Sequence, residues 1–288
     1  MKRTTLLIAT LFLAVGLLYP REIRLLTIGN SFSDDAVEHY LHGLVAAEGD
    51  TIVIGNMYIG GCSLETHSNN ALNDAPAYSY RKIVDGVKSV EANYKLSDAL
   101  ADEEWDYISF QQVSSLSGRF ETFFPYLSFL MDYAREHAGR EDLTFILHAT
   151  WAYAGDSKHP GFANYDNDQL TMYNAMVDAT SRVAKTAYID IIVPAGTAIQ
   201  NGRTSSLGDT FCRDGYHLEL NYGRYTASCA WYEVLFGKSV VGNSYLPETI
   251  TPGQALIAQL SAHFAVRKPF EVSSVIVCDT PQRVADAS

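Results

Sequence analysis

Two short stretches near opposite ends of this chain carry the residue types that acyl-transfer chemistry needs. Ser31 lies in Leu25-Leu26-Thr27-Ile28-Gly29-Asn30-Ser31-Phe32-Ser33, an apolar run that ends in a small polar turn. Asp214 and His217 lie in Asp214-Gly215-Tyr216-His217-Leu218. A strand that feeds a tight turn and then a helix presents a hydroxyl at the strand end. A loop carrying both a carboxylate and an imidazole can activate that hydroxyl, the carboxylate holding one ring nitrogen and leaving the other free. The same residues also have plainer readings. Ser31 suits a helix N-cap, and Asp214 could cap the helix that begins near Glu219. The Gly-x-Ser-x-Gly turn of the common α/β-hydrolases does not surround Ser31, which argues against that fold.

Such a reaction also needs donors for a developing oxyanion. Ile59-Gly60-Gly61-Cys62-Ser63 follows an apolar run and can bring a backbone N–H close to a substrate. Gln111 and Gln112 follow another buried run, and two consecutive amides there suggest that one points into the site. Two stretches rich in aromatic and amide side chains flank these turns. Residues 65–104 contain His67, Asn69, Asn70, Tyr78, Tyr80, Arg81 and Tyr94. Residues 151–165 contain Trp151, Tyr153, His159, Phe162 and Tyr165. Such side chains stack on and hydrogen-bond sugars, or equally pack loops onto a core. Asn30, His67, Trp151 and Tyr216 are the expected substrate contacts.

The elements that would position these residues alternate. Strands are expected at 24–28, 51–57, 107–111, 144–149 and 188–193. Helices are expected at about 33–48, 124–137, 169–185, 219–236 and 255–266, with Gly49 and Gly237 as stops. This order predicts an α/β fold with a flavodoxin-like, doubly wound sheet of about five parallel strands and helices on both faces. Ligands in such folds bind beyond the carboxyl ends of the strands. Ser31, Gly60, Gln111 and Trp151 all fall just past predicted strand ends. No internal repeat or linker divides the chain, so residues 21–288 read as a single domain.

With 47% hydrophobic and 19% charged residues among 288, the chain reads as globular. A formal net charge of −12 argues against a nucleic-acid partner. Lys2 and Arg3 followed by the apolar stretch Leu6 to Leu18 read as an export signal over residues 1–20. That stretch is short for a membrane span of ~20 residues, and no second one follows. The protein is therefore expected in the periplasm or outside the cell, without a membrane partner once the signal is removed. The four cysteines, Cys62, Cys212, Cys229 and Cys278, match no metal-binding spacing. Four cysteines allow three pairings; Cys62 and Cys212 each adjoin an expected active-edge turn, so of these a bridge between that pair is the one the expected fold brings within reach.

In this combination the blocks resemble the SGNH, or GDSL-like, hydrolase superfamily. Gly29-Asn30-Ser31 stands where that family has Gly-Asp-Ser. Asn56 to Gly61 resembles its glycine block, and Asp214-Gly215-Tyr216-His217-Leu218 its Asp-x-x-His block. The usual Gly-x-Asn-Asp is replaced by Phe110-Gln111-Gln112-Val113-Ser114, as in a variant secreted bacterial branch of largely unknown function. The resemblance spans about residues 24–237. It implies Ser31 as nucleophile, His217 as base and Asp214 as orienting acid, with no metal or cofactor. It implies Gly61 as an oxyanion donor, the side-chain donor staying open among Gln111, Gln112 and Ser115. It further implies a secreted serine esterase acting on a small-molecule or glycan ester, with carbohydrate O-acetyl groups as the first choice. A non-catalytic carbohydrate-binding protein on the same fold, an acyltransferase and a lipase-like esterase are the alternatives.

Overall fold

The computed structural model describes residues 20–140 and 142–277. The expected export signal, apart from Pro20, lies outside the described residues, as does Cys278. The central strand is β1 (Glu22–Gly29). It is followed by α1 (Ser31–Val37), α2 (Leu41–Ala46), β2 (Thr51–Tyr58), α3 (Leu64–Leu72), β3 (Tyr78–Val84), β4 (Val87–Tyr94) and α4 (Leu96–Asp102). Next come β5 (Tyr107–Phe110), α5 (Tyr126–His137), β6 (Thr144–His148), α6 (Gln169–Ala187), β7 (Ile191–Val193), α7 (Ala195–Arg203), α8 (Tyr222–Phe236) and α9 (Pro252–Arg267).

The strands form one seven-stranded sheet in the order β4-β3-β2-β1-β5-β6-β7. The five expected strands are its parallel members, β2-β1-β5-β6-β7. Counted among themselves they follow the flavodoxin-like order 2-1-3-4-5. The connection from β1 leaves toward β2, whereas β5 returns on the other side of β1. A crevice therefore opens at the carboxyl ends of β1 and β5, where the Ser31 turn sits.

β1 is buried on both faces, and its pleat sends alternate side chains into two cores. Ile23 and Leu25 join a cluster with Val37, Leu41 and Leu44 of the first two helices and Trp231 and Leu235 of α8. Leu26 and Ile28 join the opposite cluster with Leu64, Leu96, Leu100, Leu127 and Leu130. Among the described residues, no helix is long and apolar enough to cross a membrane.

Three elements depart from expectation. The helix expected at 33–48 is broken into α1 and α2. The break falls at Glu38, whose carboxylate is buried against Asn56 and ion-paired with Arg81 and Lys88. Residues 78–94 form an antiparallel hairpin that extends the sheet beyond β2, turning at Asp85 (φ 51°) and Gly86 (φ 76°). Two successive positive φ values at an Asp-Gly pair suit the right-handed twist of the strands they join. Finally, α7 is an additional helix, buried along its whole length between its neighbours.

Candidate active site

Ser31 is the first residue of α1. Its neighbour Asn30 caps that helix, the Oδ1 atom accepting the Phe32 N–H at 3.0 Å. The hydroxyl therefore stands at the carboxyl end of β1 on a fixed backbone. Ser31 Oγ lies 2.9 Å from His217 Nε2, although 186 residues separate them. On the other side of the ring, His217 Nδ1 lies 2.7 Å from Asp214 Oδ2.

The loop carrying the acid and the imidazole is closed by its own sequence. Asp214 Oδ1 accepts the N–H of Tyr216 at 3.2 Å and of His217 at 2.8 Å, folding the four residues into a tight turn. Gly215 takes φ +90°, and a Cβ there would meet Ser157 Oγ at 2.9 Å. The loop's stems pair through Cys212 and Leu218. Burial raises the Asp214 carboxyl, but the bonds from the His217 ring and the two N–H groups outweigh it and hold the group below its ordinary value. An ionised Asp214 accepts the Nδ1 proton. Nε2 then carries the lone pair that faces the serine hydroxyl.

A second carboxylate ties this loop to the helix that carries Ser31. Asp35 is fully buried, one helical turn after Ser31. Its oxygens accept from Leu218 N–H at 2.8 Å, from Arg224 Nε at 2.7 Å and from Arg213 Nη1 at 3.1 and 3.2 Å. Arg213 and Leu218 bracket the Asp214–His217 turn, so α1 carries Ser31 and, through Asp35, holds both ends of the loop that faces it.

Around Ser31 lies an open cavity of about 260 Å³, lined by Asn30, Tyr58, Gly60, Gly61, Ser114, His159, Tyr216 and His217 among others. Gly61 stands at its wall with φ +64°. Among the described residues, neither the Ser31 nor the Gly61 backbone N–H has a protein acceptor. Asn30 Nδ2 donates to Cys62 O at 2.9 Å and so ties the serine turn to the glycine turn.

A family model described as a domain of unknown function, DUF4886, matches residues 24–265. The chain belongs to the DUF4886 family. A DUF4886 family protein from Bacteroides uniformis, known from its crystal structure, is 50% identical, with a TM-score of 0.86 over 88% of this chain and 98% of that one. TesA matches at 15% identity and TM-score 0.44, over 74% of this chain and 96% of that one. Axe2, an acetylxylan esterase from Geobacillus stearothermophilus, matches at 14% identity and TM-score 0.45, over 80% of this chain and 98% of that one. No curated protein sequence matches the chain.

In this DUF4886 domain, Ser31, His217, Gly61, Asn30 and Tyr216 meet at one cavity with Asp214 behind His217, whereas four other residues singled out in the sequence do not face the cavity. Gln111 is buried behind Asn30. Its Nε2 donates to Asn30 Oδ1 at 2.8 Å, and its Oε1 lies 2.8 Å from His148 Nδ1. Gln112 points to the opposite side, accepting from Leu64 N–H and Val113 N–H and donating to Thr122. Both amides are spent on joining loops, so neither is an oxyanion donor. His67 is a core residue stacked on Tyr78, with Nδ1 3.1 Å from the tyrosine hydroxyl. Burial pushes its pKa down to about 3, so it is neutral. Trp151 is fully buried. Its ring stacks on Phe32 at 4.4 Å, and its Nε1 donates to Tyr216 O at 2.8 Å, so it props the catalytic loop from beneath.

The expected bridge is also absent, because Cys62 and Cys212 are both free thiols. Cys62 Sγ is turned toward Ser63 O, and Cys212 Sγ accepts from Arg203 Nη2 at 3.5 Å. Burial pushes the Cys62 thiol up to about 12, which keeps it protonated and a poor nucleophile. Tyr58, Ser114 and His159 line the cavity without having been singled out as site residues. His159 and Ser114 lay in stretches read as loops beside the strand ends. Tyr58 fell within the glycine block, between the expected strand and its glycines, and the structure makes it the last residue of β2.

Proposed function

We propose that this DUF4886 protein is an exported serine esterase that removes O-acetyl groups from carbohydrate. The observation that carries the reading is the continuous hydrogen-bonded line from Ser31 Oγ to His217 Nε2 and from His217 Nδ1 to Asp214, at 2.9 and 2.7 Å. A serine used only to cap a helix needs no imidazole at that distance, and an Asp-x-x-His turn used only for folding needs no serine. In the proposed reaction, His217 Nε2 takes the Ser31 proton as Oγ bonds to the acyl carbon. The carbonyl electron pair moves onto its oxygen, beside the Ser31 and Gly61 N–H groups. The tetrahedral intermediate then collapses and expels the alcohol, which leaves with the proton from His217. Water repeats the sequence at the acyl-serine and regenerates the enzyme.

A short acyl group suits the site better than a long one. The cavity is open, and its wall mixes Phe32, Tyr58 and Val113 with the polar groups of Asn30, Ser114 and His159. A lipid chain would need a mostly hydrophobic pocket to bury it. An open rim of mixed polar and aromatic side chains admits a sugar carrying a small ester. The export signal read over residues 1–20 would bring the enzyme to extracytoplasmic polysaccharide.

The deciding experiment incubates the protein with p-nitrophenyl acetate and with a panel of O-acetylated glycans, and measures released nitrophenol and acetate. Wild-type release from both, abolished in a folded Ser31→Ala variant, is the expected result. Turnover confined to long-chain esters refutes the carbohydrate reading. Glycan binding without turnover refutes the enzyme reading.

A further inference from the structure

The third block of the chain lacks the side-chain amide that would complete an oxyanion site, and both neighbouring glutamines are engaged elsewhere. One hydroxyl of the same stretch, that of Ser114, belongs to a residue that lines the cavity. Ser114 follows the carboxyl end of β5, the strand that flanks β1 on the crevice side, and it lines the same cavity as Ser31, Gly61 and His217. Its Oγ lies 2.8 Å from the Tyr153 hydroxyl.

The direction of that bond can be deduced. Tyr153 is fully buried among His159, Phe162 and Tyr216, and burial raises its hydroxyl well above the ordinary value, so it keeps its proton. Among the described residues, Ser114 Oγ is the one hydrogen-bond partner of the Tyr153 hydroxyl. A buried O–H without an acceptor carries the full desolvation cost, so the Tyr153 proton must point at Ser114. Ser114 Oγ accepts that bond, which leaves its own proton to point elsewhere. Ser114 is one of the residues that line the cavity.

We infer that Ser114 is a catalytic residue of the esterase, its hydroxyl donating to the oxyanion as the third donor beside the Ser31 and Gly61 N–H groups, with Tyr153 as the residue that positions it. This rests on the serine-esterase reading. No proton is transferred in the step. The carbonyl oxygen gains the electron pair as Ser31 Oγ bonds to the acyl carbon, and Ser114 shortens its hydrogen bond to it. A donor that is itself receiving a hydrogen bond is polarised and donates more strongly. This cooperativity explains how one hydroxyl, backed by a buried phenol, replaces an amide.

The test is steady-state hydrolysis of p-nitrophenyl acetate by the full domain carrying Ser114→Ala, Ser114→Thr, Tyr153→Phe or Ser31→Ala. Losing one oxyanion donor costs about 100- to 1,000-fold in kcat. Ser114→Ala should show that loss with KM unchanged, because the bond forms only as the charge develops. Ser114→Thr keeps a hydroxyl and should recover most of kcat. Tyr153→Phe should lower kcat less than Ser114→Ala, again at constant KM. It also provides the readout if Ser114→Ala fails to fold. Wild-type kcat in a folded Ser114→Ala beside an inactive Ser31→Ala overturns this inference and leaves the esterase reading intact. So does a change confined to KM. An inactive wild-type protein overturns both.

Discussion

Replacing Asp35 by asparagine isolates the contribution of a single buried charge to the loop that carries Asp214 and His217. The two side chains have nearly the same shape, so packing is kept while the charge is removed. In the wild type the carboxylate accepts from two guanidinium groups and one backbone N–H, at 2.7 to 3.2 Å. Asparagine offers one acceptor oxygen in place of two, and its own N–H groups then face guanidinium donors. Breaking a buried ion pair by removing one partner costs about 3–5 kcal/mol. The lower end applies here, because the Arg213 and Arg224 side chains are 31% and 13% exposed and water can reach part of their charge. With a loss of about 3 kcal/mol, and about 2–4 °C of Tm for each kcal/mol in a domain of this size, Asp35→Asn should melt about 6–12 °C lower. Differential scanning calorimetry and urea titration at pH 7.5 measure this directly, without requiring any activity. An unchanged melting temperature would refute the argument that Asp35 is the anchor of the loop.

Further perturbations follow from the same geometry. His67 and His148 are held neutral by burial at pKa values of about 3 against about 6.5 in the unfolded chain. The stability that this shift contributes is complete above about pH 6.5 and is lost progressively as pH falls toward 3, so the urea midpoint should drop clearly between pH 7 and pH 5. A flat profile over that interval would contradict the burial of both rings. Gly215→Ala should destabilise by about 1–3 kcal/mol, since alanine is strained at φ +90° and its Cβ meets Ser157. Its kcat on p-nitrophenyl acetate should fall with it, and a variant with native Tm and native turnover would show that the turn tolerates a side chain.

The framework was readable in the chain because parallel strands buried on both faces leave near-continuous apolar runs. The runs ending at Ile28, Met57, Phe110, Leu147 and Val193 each became a strand of the parallel sheet. The pairing of Ser31 with the Asp214–His217 turn was readable as a spatial arrangement because Ser31 follows such an end and His217 sits in a turn that closes on itself. Gln111 and Gln112 were not readable. A polar side chain at a strand end faces the crevice or the interior according to the pleat, and a partner such as His148, 37 residues away, decides between them. β4 left no trace in the apolar pattern, because nearly every residue in it is exposed. The Asp85-Gly86 pair between β3 and β4 was the available clue. α7 was obscured for the opposite reason. All nine of its residues are buried, and Thr197, Asn201 and Arg203 find internal partners, so it shows no polar face.

The separation of 186 residues between Ser31 and His217 has a consequence for how the proposed activity would arise. Ser31 belongs to the first helix of the fold. The histidine comes just before α8, which packs back on α1 and donates from Ser228 Oγ to Ala36 O at 2.8 Å. Nearly the whole sheet must therefore be laid down before the serine meets its imidazole. A chain still emerging from the ribosome, or arrested with its carboxyl third undocked, carries an unactivated alcohol. On the proposed esterase reading, turnover is a reporter of completed folding, and in a refolding experiment it should appear with the last event that joins the two ends of the molecule.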